Sequence, residues 1–147
     1  MDPLSIVSAV TGIAAVSMRT AMGLESLHGR FQNAHLTITA LSSQCTAIKT
    51  GLHQLQGLIL RNKTIRERVD VVVNLDTTLT GCNVVLSCLE STVDKLCAAD
   101  AGPTQSIISR WRNKASIVWN EAEMKGYLSM LQGQQVAVGF LIQLLQM

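Results

Sequence analysis

The residues whose side chains could do chemistry are few, and none of them stands in a catalytic pattern. His28, His35 and His53 occur outside any H-E-x-x-H zinc motif, and the chain has no G-x-S-x-G nucleophile motif. Hydrolysis requires a nucleophile, a base and an orienting group that converge in one cleft. We therefore expect no enzymatic activity, no metal site, no cofactor and no small-molecule substrate. His35 and His53, next to seam positions of helix 2, are interpreted as surface or hydrogen-bonded side chains.

The cysteines are the remaining candidates for chemistry. Cys45, Cys82, Cys88 and Cys97 include no C-x-x-C pair, so neither a zinc ribbon nor a dithiol redox motif is present. The opening residues, Met-Asp-Pro-Leu-Ser-Ile, carry an acid where a secretory signal carries Lys or Arg. We expect a cytoplasmic protein whose four cysteines are reduced and lie on buried helix faces.

The charge content of the chain is low and limits its partners. Charged residues make up 15% of the 147 residues and hydrophobic ones 48%, whereas soluble domains carry about 25% charged residues. The net charge of +2 is too small for binding along a nucleic-acid backbone. We expect no nucleic-acid partner, and we expect some apolar surface to remain for a protein partner, for self-association or for a membrane.

The spacing of the apolar residues predicts long helices that could position these groups. Helix 1 is predicted to begin at Pro3, behind the cap residue Asp2, and to end near Leu24. Alternating steps of four and three residues then define one buried seam in each of the next two helices. The seam of helix 2 comprises Ala34, Ile38, Leu41, Cys45, Ile48, Leu52, Leu55 and Ile59, and that of helix 3 comprises Leu75, Leu79, Cys82, Leu86, Leu89, Val93 and Leu96.

A fourth helix is predicted to begin near Thr104. Its seam changes phase, which predicts a bend around Glu121 to Gly126; the later part comprises Met124, Leu128, Leu131, Gln135, Val138, Ile142 and Leu145. Short turns place sequential helices antiparallel. The prediction is an all-α single domain, residues 1 to 147, folded as an up-down-up-down four-helix bundle with long helices 2, 3 and 4. No capping signal follows the last helix, as in the N-terminal part of a longer chain.

Helix 1 is the unusual element, because no charged residue occurs from Pro3 to Met18. Its large apolar residues are predicted to wrap around the helix, which requires burial on several sides: they are Leu4, Ile6, Val7, Val10, Ile13 and Val16. Two interpretations stay open. Either the other three helices enclose helix 1 permanently, or helix 1 can leave the bundle and enter a bilayer.

The predicted turn between helices 2 and 3 is basic. Four basic residues, Arg61, Lys63, Arg66 and Arg68, lie there with the two acids Glu67 and Asp70. In an up-down bundle this turn shares one end with the start of helix 1, and each surface basic residue adds about 1 kcal/mol of attraction to anionic lipid. The cluster is either a solvated turn or a contact site for an anionic membrane.

The opening Met-Asp-Pro-Leu-Ser-Ile-Val, the uncharged Ser/Ala/Gly-rich first helix and the sequence Leu79-Thr80-Gly81-Cys82 carry a resemblance to a known family. The chain resembles, over nearly its whole length, the fungal N-terminal helical domains called HeLo-like, also named after the azaphilone pigment cluster protein L. The resemblance implies a helical signalling domain in self/non-self recognition or regulated cell death. Related HeLo domains damage membranes through their first helix, which implicates Leu4 to Met18 here.

Two functions follow as expectations. The first is a non-enzymatic fungal signalling or effector domain, recruited from the cytoplasm to a membrane that its first helix engages. The alternative is a helical module for protein-protein interaction or oligomerisation that has no membrane activity.

Overall fold

A computed structural model describes residues 3–62, 65–98 and 119–146, apart from the side chains of Pro3, Leu4 and Arg66. Four α-helices make up most of these ranges: α1 (Pro3–Ser26), α2 (His35–Arg61), α3 (Val69–Ala98) and α4 (Glu121–Gln146). Short 3-10 helices, Gln32–Ala34 and Ile65–Glu67, precede α2 and α3. No β-strand occurs in the described ranges, so the all-α class is confirmed.

The seams predicted for helices 2 and 3 form the centre of the core. Every predicted seam residue is buried, including Ala34 in the 3-10 helix just before α2. The repeat of about 3.5 residues keeps such a seam on one face of a helix over many turns. The same periodicity turns Cys88 to the outside of α3, between the buried Leu86 and Leu89. The prediction that all four cysteines are buried is therefore wrong for Cys88, and Cys97 is only half-buried.

The start of α4 differs from the prediction. The described chain is non-helical at Trp119 and Asn120, and α4 begins at Glu121. Asn120 caps this end, because its Oδ1 accepts the backbone N–H of Glu123 at 3.1 Å. The predicted bend near Glu121 is thus a helix start, and the predicted beginning near Thr104 lies outside the described residues.

The core face of α4 also departs from the predicted seam in its second half. Met124, Leu131, Val138 and Leu145 are buried as predicted, while Leu128 and Ile142 are half-buried. Gln135 is exposed, since burial of its amide without hydrogen-bond partners would cost free energy. Leu141 is buried although the four-three rhythm omits it. A straight helix of 3.6 residues per turn drifts away from a strict 3.5-residue repeat, which brings Leu141 into the core.

Close contacts join α1 to α2 and α3, and they join α4 to the same two helices. Gln56, near the end of α2, donates a hydrogen bond to Thr11, in the N-terminal half of α1, at 3.3 Å. The hydroxyl of Thr92, near the end of α3, lies 3.3 Å from that of Tyr127, near the start of α4. α2 and α3, although consecutive, make far fewer close contacts with each other than with α1 and α4.

Candidate membrane-active helix and basic turn

α1 buries one face against α2 and α3 and leaves the other open. Ile6, Val10 and Ile13 are buried in the core, while Val7 and Val16 are half-buried at its edges. The exposed face consists mainly of small residues: Ser5, Ser8, Thr11, Gly12, Ala15, Met18, Arg19 and Met22. Among the described elements, α1 therefore packs mainly against α2 and α3. The side chain of Leu4 lies outside the described part of the chain.

The polar side chains on the buried face of α1 bond within their own helix. Ser17 and Thr20 are fully buried. Their hydroxyls donate to the carbonyl oxygens of Ile13 at 3.1 Å and Val16 at 2.8 Å. A buried hydroxyl is costly only where it has no partner. Since these partners travel with α1, separation of the helix from the core leaves both hydroxyls satisfied.

Polar contacts attach the C-terminal part of α1 to α3. Arg19 Nε donates to the Glu90 carboxylate at 3.1 Å. Ser26 Oγ lies 3.4 Å from the Sγ of Cys97, and that thiol donates to the carbonyl oxygen of Gly23 at 3.7 Å. In the N-terminal part of α1, the described side chains include one polar contact with another helix, from Gln56 of α2 to Thr11. Apolar packing is therefore the main force that holds residues 5 to 16.

The linker from α1 to α2 is also tied to the rest of the fold. Arg30 donates to the carbonyl oxygen of Leu96 near the end of α3 at 2.6 Å. The Phe31 ring packs against Trp119, with 5.4 Å between the ring centroids. The Nδ1 atoms of His28 and His35 lie 2.8 Å apart, which requires that one of them carry the hydrogen that the other accepts. These contacts anchor the C-terminal end of α1.

Gly23 of α1 packs directly against Val93 of α3. A Cβ at this position would lie 2.6 Å from the Cγ1 of Val93, which is too close for two carbon atoms. The sequence predicts only that helix 1 ends near Leu24, one residue after Gly23. An isolated glycine within a helical pattern was the available signal, but periodicity cannot identify the residue that it faces.

The basic turn follows α2, and Gln56, five residues before Arg61, contacts Thr11 of α1. Arg61 is exposed, and its Nε donates to the carbonyl oxygen of Gly57 at 3.2 Å. Arg68 donates to the carbonyl oxygen of Leu144 at 3.5 Å, near the C-terminus of α4. A cation at that end of a helix is favourable to the helix dipole. Arg68 therefore has a structural role, whereas Lys63 and the Arg66 side chain lie outside the described residues.

Three of the described helical segments are long and apolar enough to cross a membrane, judged by length and composition: Ser5–Ser26, Val69–Ala98 and Glu121–Gln146. The first contains the predicted membrane segment from Ser5 to Met18. No three His, Cys, Asp or Glu side chains within the described ranges are grouped so that they could hold a metal ion.

Comparison with known proteins finds no matching protein-family model, no matching curated protein and no matching solved structure.

Proposed function

We propose that this chain is a non-enzymatic, HeLo-like helical domain that acts in fungal self/non-self recognition or regulated cell death through its first helix. The protein is proposed to reside in the cytoplasm and to be recruited to an anionic membrane. The resemblance in the opening residues and in Leu79-Thr80-Gly81-Cys82 supports the family assignment. The up-down-up-down bundle belongs to this proposal and is supported by the contacts of the N-terminal half of α1 with the end of α2 and of the end of α3 with the start of α4.

The observation that carries the proposal is the uneven attachment of α1. Residues 3 to 18 are uncharged, and those described are held mainly by apolar packing. A bilayer can replace that packing, because burial of apolar area in lipid or in a core gives a similar gain of about 25 cal/mol per Å². The uncharged run is about 24 Å long, short of the roughly 30 Å hydrocarbon core. Extension to Leu24 gives about 33 Å, if Arg19 reaches the lipid headgroups.

Dye release from liposomes tests the proposal. Wild-type protein is expected to permeabilise anionic liposomes at micromolar concentration, and Ile6→Glu or Val10→Glu is expected to abolish release. Glutamate at these buried positions can also unfold the domain, so circular dichroism accompanies the assay. The proposal fails if folded wild-type protein neither binds nor permeabilises anionic liposomes while α1 stays protected from hydrogen exchange.

Membrane binding through the basic turn is tested separately. Arg61, Lys63 and Arg66 are changed together to Ser, and Arg68 is kept because it bonds to Leu144. Loss of three basic residues is expected to weaken binding to anionic vesicles by about 3 kcal/mol, or roughly a hundredfold, with little change in thermal unfolding. Unchanged vesicle binding would remove the turn from the proposed contact.

The exposed face of α4 favours a second candidate function, a helical interaction or oligomerisation module. Val136 is 74% exposed and Phe140, one turn later, is 55% exposed. Two such side chains on one helix face can dock against an apolar groove of another protein. This candidate predicts a concentration-dependent mass in solution that falls in Val136→Ser and Phe140→Ser, and no dye release from liposomes.

A further inference from the structure

Two large apolar side chains flank the basic turn and point into solvent. Leu60, the residue before Arg61, is 59% exposed, and Val69, the residue after Arg68, is 71% exposed. Ile65, between them in the chain, is buried at 1% exposure. The turn therefore already has an inward apolar residue, and Leu60 and Val69 contribute little to the core.

The apolar surface continues along α3. Val73 follows Val69 by one helical turn and is 56% exposed. The buried seam of α3 begins with Val71 and Leu75, so Val69 and Val73 lie on a different face. Exposed apolar residues are ordinary when single, but a group beside cationic side chains is typical of surfaces that enter a lipid interface.

The charges of the turn favour an anionic bilayer over an apolar protein groove. Arg61 is exposed beside Leu60, and Arg68 lies beside Val69. Between residues 61 and 70 the basic residues outnumber the acids by four to two. Cationic side chains are attracted to anionic headgroups, and neighbouring aliphatic side chains then enter the acyl boundary. Gln56, five residues before Arg61, contacts Thr11 of α1, so docking here also brings α1 to the lipid.

We propose that Leu60 and Val69 are the apolar anchors by which the folded domain docks on an anionic bilayer, with Arg61 at the headgroups. This inference rests on the proposed membrane function and adds a docking step that precedes the release of α1.

Vesicle sedimentation with a matched control tests the anchors. The double variant Leu60→Ser, Val69→Ser is expected to bind vesicles of phosphatidylserine and phosphatidylcholine about a hundredfold more weakly than wild type, or about tenfold for each residue. The control is Leu36→Ser, because Leu36 is 84% exposed at the opposite end of the same helix, α2. This control is expected to bind within twofold of wild type.

A fluorescence measurement reports the contact directly. Brominated lipids are expected to quench the additional emission of Leu60→Trp but not that of Leu36→Trp, each measured against wild type. Thermal unfolding of every variant is expected to be close to that of wild type, since the replaced side chains are exposed.

Three results would contradict the assignment of Leu60 and Val69 as anchors. The double variant binds vesicles as tightly as wild type, or Leu36→Ser weakens binding equally. The third is a lower mass of the double variant than of wild type in solution without lipid, which would assign the surface to self-association. If wild type and the double variant bind and permeabilise vesicles equally, the assignment of the anchors is wrong but the proposed membrane function is not contradicted. If wild type binds no vesicles, the proposed membrane function fails as well.

Discussion

Arg19 of α1 contacts Glu90 of α3 across 3.1 Å, and it is the first charged residue after the uncharged run that begins at Pro3. The contact marks a boundary within α1. On its N-terminal side, apolar packing is the main attachment, and on its C-terminal side the helix and the following linker have several polar contacts with α3. This boundary leads us to expect that α1 separates first at its N-terminal end.

Removal of the ion pair is expected to ease the release of α1 without destabilising the fold. Glu90→Gln removes the charge that faces Arg19, and an exposed pair of this kind contributes at most about 1 kcal/mol. Dye release is expected to accelerate by up to about fivefold, with a nearly unchanged melting temperature. The control is Asp94→Asn, an exposed carboxylate one turn later on α3. Equal acceleration in both variants would contradict a specific role for Glu90.

A methyl group at Gly23 is expected to force α1 away from α3. The Cγ1 of Val93 lies where the new Cβ would need space, and a β-branched side chain yields little. Gly23→Ala is expected to destabilise the domain by about 1–3 kcal/mol and to accelerate dye release. Thermal unfolding by circular dichroism and the release assay measure the two effects.

Two further variants make the Gly23 experiment decisive. Gly12→Ala lies on the same helix with no atom near its new Cβ, so it is expected to raise stability by about 0.5–1 kcal/mol. Val93→Ala combined with Gly23→Ala is expected to restore part of the lost stability. A Gly23→Ala protein as stable as wild type would show that the helices are farther apart than described.

The cysteines are expected to react in order of their burial. Burial raises the pKa of the Cys45 thiol to about 12 and that of Cys82 to about 11, so thiolates are scarce at both sites at neutral pH. A thiol reagent at pH 8 is expected to modify the exposed Cys88 first and to reach Cys45 and Cys82 only on unfolding. Cys88→Ser is expected to remove the fast phase. Rapid modification of Cys45 in the native protein would contradict the described core.

The contact between α2 and α4 is expected to weaken in acid. Hydrogen bonds from the Thr37 hydroxyl and from the Trp119 indole N–H lower the pKa of Glu121 below its ordinary value of 4.5. The ionised form is therefore favoured in the native state, so its stabilisation is present above the unfolded pKa and is lost as the pH falls through the lowered native pKa. Glu121→Gln is expected to lose less stability than wild type between pH 5 and pH 3, whereas Glu123→Gln, at an exposed neighbouring carboxylate, is expected to follow wild type. If the stability of wild type and that of Glu121→Gln fall in parallel between pH 5 and pH 3, Glu121 is not the group whose protonation weakens the contact.

The sequence predicts the helices and their inner faces well, because periodicity reports directly which side of a helix is apolar. The seams of α2 and α3 follow from that principle residue by residue. The principle fails where a polar residue falls in phase, as Gln135 does, or where drift of the repeat adds a core residue such as Leu141.

The partners of each helix face could not be predicted in the same way. The pairing of Gly23 with Val93 and the outward position of Leu60 depend on which helices become neighbours. Low charge suggested that helix 1 is enclosed, but its outer face is composed mainly of small side chains, which tolerate water without being charged. Hydrophobicity alone did not distinguish an enclosed helix from a helix with one face in water.

Dye release by Ala15→Glu shows directly whether α1 enters the membrane. Ala15 lies on the exposed face of α1, so the new charge stays in water in the folded domain and enters the bilayer only if α1 does. Ala15→Glu is expected to unfold thermally as wild type does and to lose dye release from anionic liposomes, while Val84→Glu, at an exposed position on α3, still releases dye. Full dye release by folded Ala15→Glu would contradict the entry of α1 into the membrane.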